Sequence, residues 1–405
     1  MKHALENIRI LDLSRVLAGP CCTQILGDLG ADIIKIERPH QGDDTRKWGP
    51  PFLKDDIGSD TEESAYYLSA NRNKRSVAVD ITTEEGQDII HKLLEKSDVL
   101  IENFKVGNLA KYGLSYENIK ARHPHIIYCS ITGFGQNGAL ASEPGYDFLA
   151  QAMGGLMAIT GEKGGAPMKA GVALSDVMTG HYAAIGILAA LQSRAQTGTG
   201  QHIDLSLLDC TLAGMTNIAQ YYLTAGKPAP RQGNAHSTIV PYQAFATKDG
   251  HIIIAVGNDR QFTRFCDHIG QSAWAQDARF ATNQKRVANR DILLPEIEAI
   301  IAQKESATWL AGLREADVPC GPVNDMAQAF AEPQVQERDM QIQMKHSATS
   351  EDIDLVGSPL KLSNTPVSYR HAPPTNGQHT DTLLKELLGM DEDNIDMLRK
   401  KDVIA

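Results

Sequence analysis

The first third of the chain is punctuated by short apolar runs at nearly regular spacing, and this recurrence limits the fold more than any other feature. IRILDL (8–13), DIIKIE (32–37), SVAVD (76–80), DVLIEN (98–103) and HIIYCSIT (125–132) each have the length and β-branched content of a strand. Helix-like segments lie between them: one over about 19–29, one opened by the capping-box pair Thr82 and Glu85, and one from about Ser115. Apolar strands alternating with helices require a parallel sheet covered on both faces. The expected fold class is therefore α/β, with ligands held beyond the C-terminal ends of the strands. Those ends carry Ser14 to Val16, Arg38, Asn103 to Lys105 and Thr132 to Gly138.

The stretch GVALSDVMTGHYAAIGILAAL (171–191) runs from a polar start into a helix with almost no charge, so that helix is expected to be buried on most sides. Asp176 stands at its start. Burial raises a carboxyl pKa, whereas the unpaired N–H groups of a helix N-terminus stabilise the anion, and the two effects oppose each other here. A poorly hydrated carboxylate is a usable nucleophile. The alternative is that Asp176, or Ser175 beside it, only caps the helix.

At 405 residues, 42% hydrophobic and 22% charged, the chain has room for more than one core. Its net charge of −11 opposes a nucleic-acid or anionic-membrane partner, so any phosphate must be gripped locally. The six cysteines show no CxxC pair and no zinc-like His/Cys spacing, and are read as reduced thiols. MKHALENIRIL lacks the apolar core of a signal peptide, and no segment reaches the roughly 18 uncharged apolar residues of a spanning helix. A cytoplasmic protein with no membrane partner is expected.

GFGQNG (133–138) matches the dinucleotide fingerprint in form and follows a strand, but Pro144 and Gly145 break any helix that would present its N-terminus to a pyrophosphate. A loop offering backbone N–H groups to another ligand is the remaining functional reading. Arg38, Arg72, Lys74, Arg75, Lys105 and Lys111 recur near strand ends; they form either a phosphate-binding rim or solvated surface charge. After about 225, GKPAPRQGN breaks the pattern, and YQAFATKDGHIIIAVGN carries an Asp-Gly hairpin signal. The expected division is a large domain over 1–225, a small domain over 226–330 and a C-terminal segment over 331–405. No internal repeat is visible.

Eight stretches, in order, resemble the class III CoA transferases, the family of formyl-CoA:oxalate and carnitine CoA transferases. They are LDLSRVLAGP, LGADIIKIERP, NRNKRSVAVD, ENFKVGNLAKYGL, SITGFGQNG, GYDFLAQAMGG, SDVMTGHYAAIGILAAL and VPCGPV. The resemblance implies acyl-CoA and a free carboxylic acid as substrates, Asp176 as covalent nucleophile, and no metal or redox cofactor. It also implies a Rossmann-like large domain that binds CoA, to which the C-terminal segment returns, a smaller α+β domain, and a homodimer of two interlocked rings. By similarity CoA lies along Val16, Arg38, Ala70, Asn71, Arg72, Asn73, Asn103, Phe104, Lys105 and Lys111, with Thr132, Gly133, Phe134 and Gly135 nearer the reacting end.

Oxalate-using members carry a glycine run as a lid, where this chain reads GNAHSTIVPYQAF (233–245). That segment resembles relatives acting on longer dicarboxylates, so a dicarboxylate acceptor with succinyl-CoA as donor is expected. His236, Ser237, Thr238 and Gln243 are the candidate donors to the acceptor, along with Tyr146 near the aspartate. The related α-methylacyl-CoA racemases have histidine where this chain has Tyr146, and a phenol with an unperturbed pKa of ~10 is a poor base at neutral pH. Isomerase and non-catalytic CoA-binding regulator are the alternatives to transferase.

Overall fold

The computed structural model describes residues 3–405. Its largest element is a six-stranded sheet of β1 (Arg9–Asp12), β2 (Asp32–Glu37), β3 (Lys74–Ala78), β4 (Val99–Glu102), β5 (Ile127–Thr132) and β6 (His202–Ser206). The order is β3-β2-β1-β4-β5-β6, and every neighbouring pair is parallel. Pleating sends Ile10, Ile33, Val99, Ile101, Ile127 and Cys129 into one buried cluster and Leu11, Ile34, Leu100 and Tyr128 into another. Both faces are therefore dry, which is why the strands read as continuous apolar runs.

Helix α1 (Ala18–Asp28) covers the first face, and α2 (Glu84–Leu94) and α3 (Tyr116–Arg122) cover the second, where Leu383, Leu384, Ile395 and Leu398 of the C-terminal helices join the core. The capping box expected from Thr82 and Glu85 does not form. Thr83 caps α2 by accepting from the Gly86 N–H, while Thr82 bonds Asp80 and Glu85 pairs with Lys401.

After α4 (Asp147–Met153) comes α5 (Leu174–Thr197), the helix expected from 171–191. With a mean hydropathy of 1.3 it is long and apolar enough to cross a membrane by length and composition alone, although Asp176 and Arg194 bound its uncharged run short of the expected standard. It packs instead through small residues. A Cβ on Gly180 would lie 2.7 Å from the Ala18 carbonyl oxygen, so this glycine permits the close approach of α5 to α1. The expectation of burial on most sides is also revised: Thr179, Ala183, Ile187 and Ala190 are buried, whereas Tyr182, Ile185 and Leu188 are 42%, 61% and 37% exposed.

Contacts divide the chain into a larger unit, Met1–Leu156 with Ala170–Gln220 and Gln334–Ala405, and a smaller unit, Met157–Lys169 with Tyr221–Pro333. Residues 157–169, given to the large domain in the sequence reading, thus cluster with the smaller unit. The smaller unit is α+β. Tyr242–Ala246 and His251–Ala255 form the expected antiparallel hairpin, and Cys320–Pro322 adds a third strand. Phe245, Ile254, Phe262, Phe265 and Trp309 fill its core.

Candidate active site

In the larger unit the strand order runs outward in one direction from β1 and in the other from β4. The crevice beyond their C-terminal ends is where such sheets hold ligands. Asn103 clamps its two sides together, accepting from the Arg15 N–H at 2.9 Å and donating to the Arg15 carbonyl at 2.7 Å. Its amide imitates a backbone pairing between the two loops. A cavity of about 560 Å³ opens there, lined by Arg15, Val16, Trp48, Asn103, Phe104, Lys105, Thr132, Gly133, Tyr146, Asp147 and Asp176.

Val16 has φ of +72°, an unusual conformation for a β-branched residue. Its N–H reaches both oxygens of Asp43 at 3.3 Å, and Asp43 is itself held by the Lys35 ammonium at 2.9 Å and by Thr45. Burial opposes ionisation of Asp43, but Lys35 and Thr45 outweigh it and hold the carboxyl at about 2. A buried ion pair under the crevice thus fixes the strained residue that lines it.

Asp176 is the third residue of α5, and neither it nor Ser175 caps the helix. The cap comes from Asp147. Its Oδ1 accepts from the Ser175 N–H at 2.8 Å and the Asp176 N–H at 3.4 Å, while Gln151 Nε2 donates to its Oδ2 at 2.7 Å. The Ser175 hydroxyl is engaged with Thr211. Among the described residues of the larger unit no hydrogen-bond donor reaches the Asp176 carboxylate, which lines the cavity. Burial, and then the negative charge of Asp147, push its carboxyl up to about 7. The opposition expected between burial and the helix N-terminus is therefore decided by burial, with Asp147 adding its charge and occupying the Ser175 and Asp176 N–H groups.

A second cavity, of about 530 Å³, shares Arg15 and Phe104 with the first and carries Arg38 beside Pro39, Asp80 and Thr82. The Arg15 guanidinium stands 5.4 Å from the Phe104 ring centre, at the junction of the two. Lys111 is exposed with its ammonium over the Tyr112 ring, and Tyr112 lines this second cavity. Val16, Arg38, Asn103, Phe104, Lys105, Thr132, Gly133, Tyr146 and Asp176 are thus brought together along one continuous pair of cavities.

Other candidates are committed elsewhere. Ala70, Asn71, Arg72 and Asn73 are buried and line neither cavity. The Arg72 guanidinium chelates Asp28 at 2.9 and 2.6 Å, Asn73 donates to the same carboxylate, and Asn71 accepts from Lys74. The expected phosphate rim therefore loses Arg72 and Lys74, whose charges are spent inside the core. Phe134 and Gly135 also lie outside the cavity lining, and the Gly135 and Gln136 N–H groups bond Thr132 and Asp204. Gly133 is needed for another reason: a Cβ there would fall 2.3 Å from the Gly145 Cα.

In the smaller unit, the Gln243 amide is nearly buried against Glu298, so it is not a free donor. His236 packs on Tyr242, and the carbonyls of His236 and Ser237 accept from Arg290. Asn283 holds Thr238 and Val240, and Arg286 holds Val240. This segment is a pinned platform in its own unit. Sequence reading missed Asp147 and Trp48, and it included Arg15 only as part of the strand-end stretch Ser14 to Val16, without a role. Among the described residues no group of three His, Cys, Asp or Glu side chains is placed to hold a metal.

A half-buried carboxylate beside a cavity, unsatisfied by protein donors and poised to ionise near neutrality, suits nucleophilic attack on an acyl group. The model of CoA-transferase family III matches residues 5–380. Succinate–glutarate CoA-transferase of Agrobacterium fabrum is 46% identical, over 95% of this chain and 96% of its own. Succinyl-CoA:glutarate CoA-transferase of Mus musculus is 44% identical, over 99% of this chain and 90% of its own. A crystal structure of a CaiB/BaiF family protein from Brucella suis superposes with a TM-score of 0.86 at 44% identity, covering 96% of this chain and 100% of the other. With the match running nearly end to end, the chain belongs to CoA-transferase family III and is an acyl-CoA:carboxylate CoA-transferase.

Proposed function

We propose that this enzyme exchanges CoA between succinyl-CoA and a second dicarboxylic acid of similar length, glutarate foremost, with Asp176 as the covalent nucleophile. The observation that carries the mechanism is the Asp176 carboxylate itself, lining the cavity with no donor on it among the described residues of its unit. The names of the relatives support the choice of dicarboxylates. The Asp176 carboxylate attacks the thioester carbonyl and expels the CoA thiolate, leaving an aspartyl acyl anhydride. The thiolate attacks the aspartyl carbonyl, releasing the donor acid and forming an aspartyl-CoA thioester. The acceptor carboxylate then repeats the two steps in reverse order, and Asp176 is regenerated. Every bond broken is replaced by one formed, so the exchange balances without a metal or redox cofactor. Such anhydrides hydrolyse in water, and the platform over 236–243 is the segment we assign to shielding them and setting acceptor size.

Arg38 is assigned to a CoA phosphate, with Val16, Phe104 and the paired cavities taking the rest of the nucleotide and pantetheine arm. The exposed apolar face of α5 around Ile185 supports a homodimer, read as the interlocked pair of rings. We place the enzyme in the cytoplasm, in line with its six free cysteines, without a nucleic-acid or membrane partner. The test is a panel of mono- and dicarboxylic acids offered with succinyl-CoA, following the new thioester. Glutarate should exceed monocarboxylates of equal length, and a preference for monocarboxylates refutes the dicarboxylate reading.

The raised carboxyl of Asp176 gives the reaction a pH signature. Only the anion attacks, so kcat/KM should fall about tenfold per pH unit below about 7. Asp147→Asn keeps an oxygen for the helix cap but removes the neighbouring charge. The acid limb should then move to lower pH, measured across pH 5 to 9, and an unmoved limb removes Asp147 from control of the nucleophile.

A further inference from the structure

The smaller unit carries a cleft of about 630 Å³ lined by Lys163, Arg231, Gln232, Arg290 and, from the platform over 236–243, Ser237, with Gly164 and Gly165 at one wall. No carboxylate lines it. Arg231 donates through Nε to the Ala158 carbonyl at 3.1 Å and through Nη1 to that of Gly165. Arg290 donates through Nη1 to the Gln232 amide oxygen at 3.4 Å and through Nη2 to the carbonyls of His236 and Ser237 at 3.2 and 2.9 Å. All these acceptors are neutral, so they orient the two guanidinium groups without cancelling their charge. Among the described residues of the smaller unit neither pairs with a carboxylate. Lys163 adds a third cation, with only a 3.4 Å exposed contact to Asp291. Three cations thus line one cleft with no carboxylate in its lining, in a chain of net charge −11.

We infer that this cleft is an oxyanion site for a carboxylate of the dicarboxylate substrate, an inference that rests on the dicarboxylate reading above. A guanidinium presents its N–H groups as a planar fork that matches a carboxylate, and five donors per arginine leave each with N–H groups beyond those used on carbonyls. The Arg231 Nη2 and Arg290 Nε atoms remain for a ligand, and the Ser237 hydroxyl adds a neutral donor. Ala158 and Val287, also in the lining, offer apolar surface to a short methylene spacer. A CoA phosphate presents the same charge to the same donors, so the test must separate the two sources.

The experiment is calorimetric titration of the full-length enzyme with glutarate and, separately, with CoA, for the wild type, Lys163→Gln and Arg290→Lys. The Lys163 side chain is 68% exposed, so Lys163→Gln preserves the fold even if Arg290→Lys loosens the platform. The expected result is glutarate binding weakened about tenfold in either variant, with CoA affinity unchanged within about twofold. Unchanged glutarate affinity in Lys163→Gln and in folded Arg290→Lys overturns the inference. Loss of CoA affinity in place of glutarate also overturns it, because the cleft then serves phosphate. Wild-type transfer to glutarate is measured alongside. Transfer with unaffected binding sinks the cleft and spares the function; variant-sensitive glutarate binding without transfer does the opposite.

Discussion

Asp176→Ala is expected to abolish CoA transfer while leaving CoA affinity within about twofold and raising stability at pH 8. The loss of activity follows because the other acids lining the cavity are placed for other work: Asp147 is engaged with the Ser175 N–H and Gln151, Asp44 pairs with Arg15, and Glu143 is exposed to solvent. The gain in stability follows from the raised carboxyl. A group at about 7 in the folded chain and near ~3.9 unfolded costs the fold free energy as pH rises from about 4 to 7, at about 1.4 kcal/mol per unit of displacement. The ionised side chain is thus a liability at pH 8, and its removal relieves it. A helix cap behaves in the opposite way, since its loss costs about 0.5–2 kcal/mol. Denaturant melts at pH 8 together with a transfer assay therefore separate the two roles. Retained transfer in the variant, or no aspartyl hydroxamate from the wild type treated with succinyl-CoA and hydroxylamine, sinks the nucleophile.

How legible the molecule is from its sequence depends on whether the partner of each residue lies nearby in the chain. The strands were readable because Ile10 and Leu11, or Ile33 and Ile34, serve opposite faces of one sheet, and burial on both faces leaves a continuous apolar run. The C-terminal ends of those strands were legible too, so the stretches that hold Val16, Asn103 and Thr132 were singled out from local pattern, whereas the strand order that makes a crevice there was not. The cap of α5 was not, because Asp147 lies 29 residues before the Asp176 N–H it accepts from. Arg72 looked like a phosphate ligand for the same reason: a guanidinium at a strand end carries no sign that Asp28, 44 residues upstream, has already taken it. Gln243 was misread through Glu298, 55 residues downstream. Lys35 shows the limit most clearly. It stands in the middle of DIIKIE, where alternation admits a solvent-facing lysine, yet its ammonium is fully buried against an aspartate that sequence pattern does not single out.

That hidden pair supplies the other large effect. Asp43→Ala is expected to destabilise the larger unit by about 3–5 kcal/mol, because it leaves the Lys35 ammonium buried with its principal counter-charge gone. The Ser14 carbonyl, at 3.1 Å, remains as a partner but cannot neutralise it. Lys35→Met should also cost stability, since Asp43 keeps only Thr45 and the Val16 N–H as donors. The double variant Asp43→Ala/Lys35→Met leaves no stranded charge, so it should cost less than the sum of the two, and the difference is the coupling between them. Urea denaturation of the four proteins at pH 7 measures it. Acidification supplies a sign check. The folded carboxyl of Asp43 lies at about 2, below its unfolded value near ~3.9, so its contribution is complete above pH ~4 and is lost as pH falls toward 2. The gap between wild type and Asp43→Ala should therefore narrow over that interval. A functional loss should accompany the structural one, because the Val16 N–H then loses the acceptor that holds φ at +72° in the cavity wall. CoA should bind more weakly to Asp43→Ala even where the protein is fully folded. Additive costs in the two single variants, together with unchanged CoA affinity, would show that the pair neither couples nor shapes the crevice.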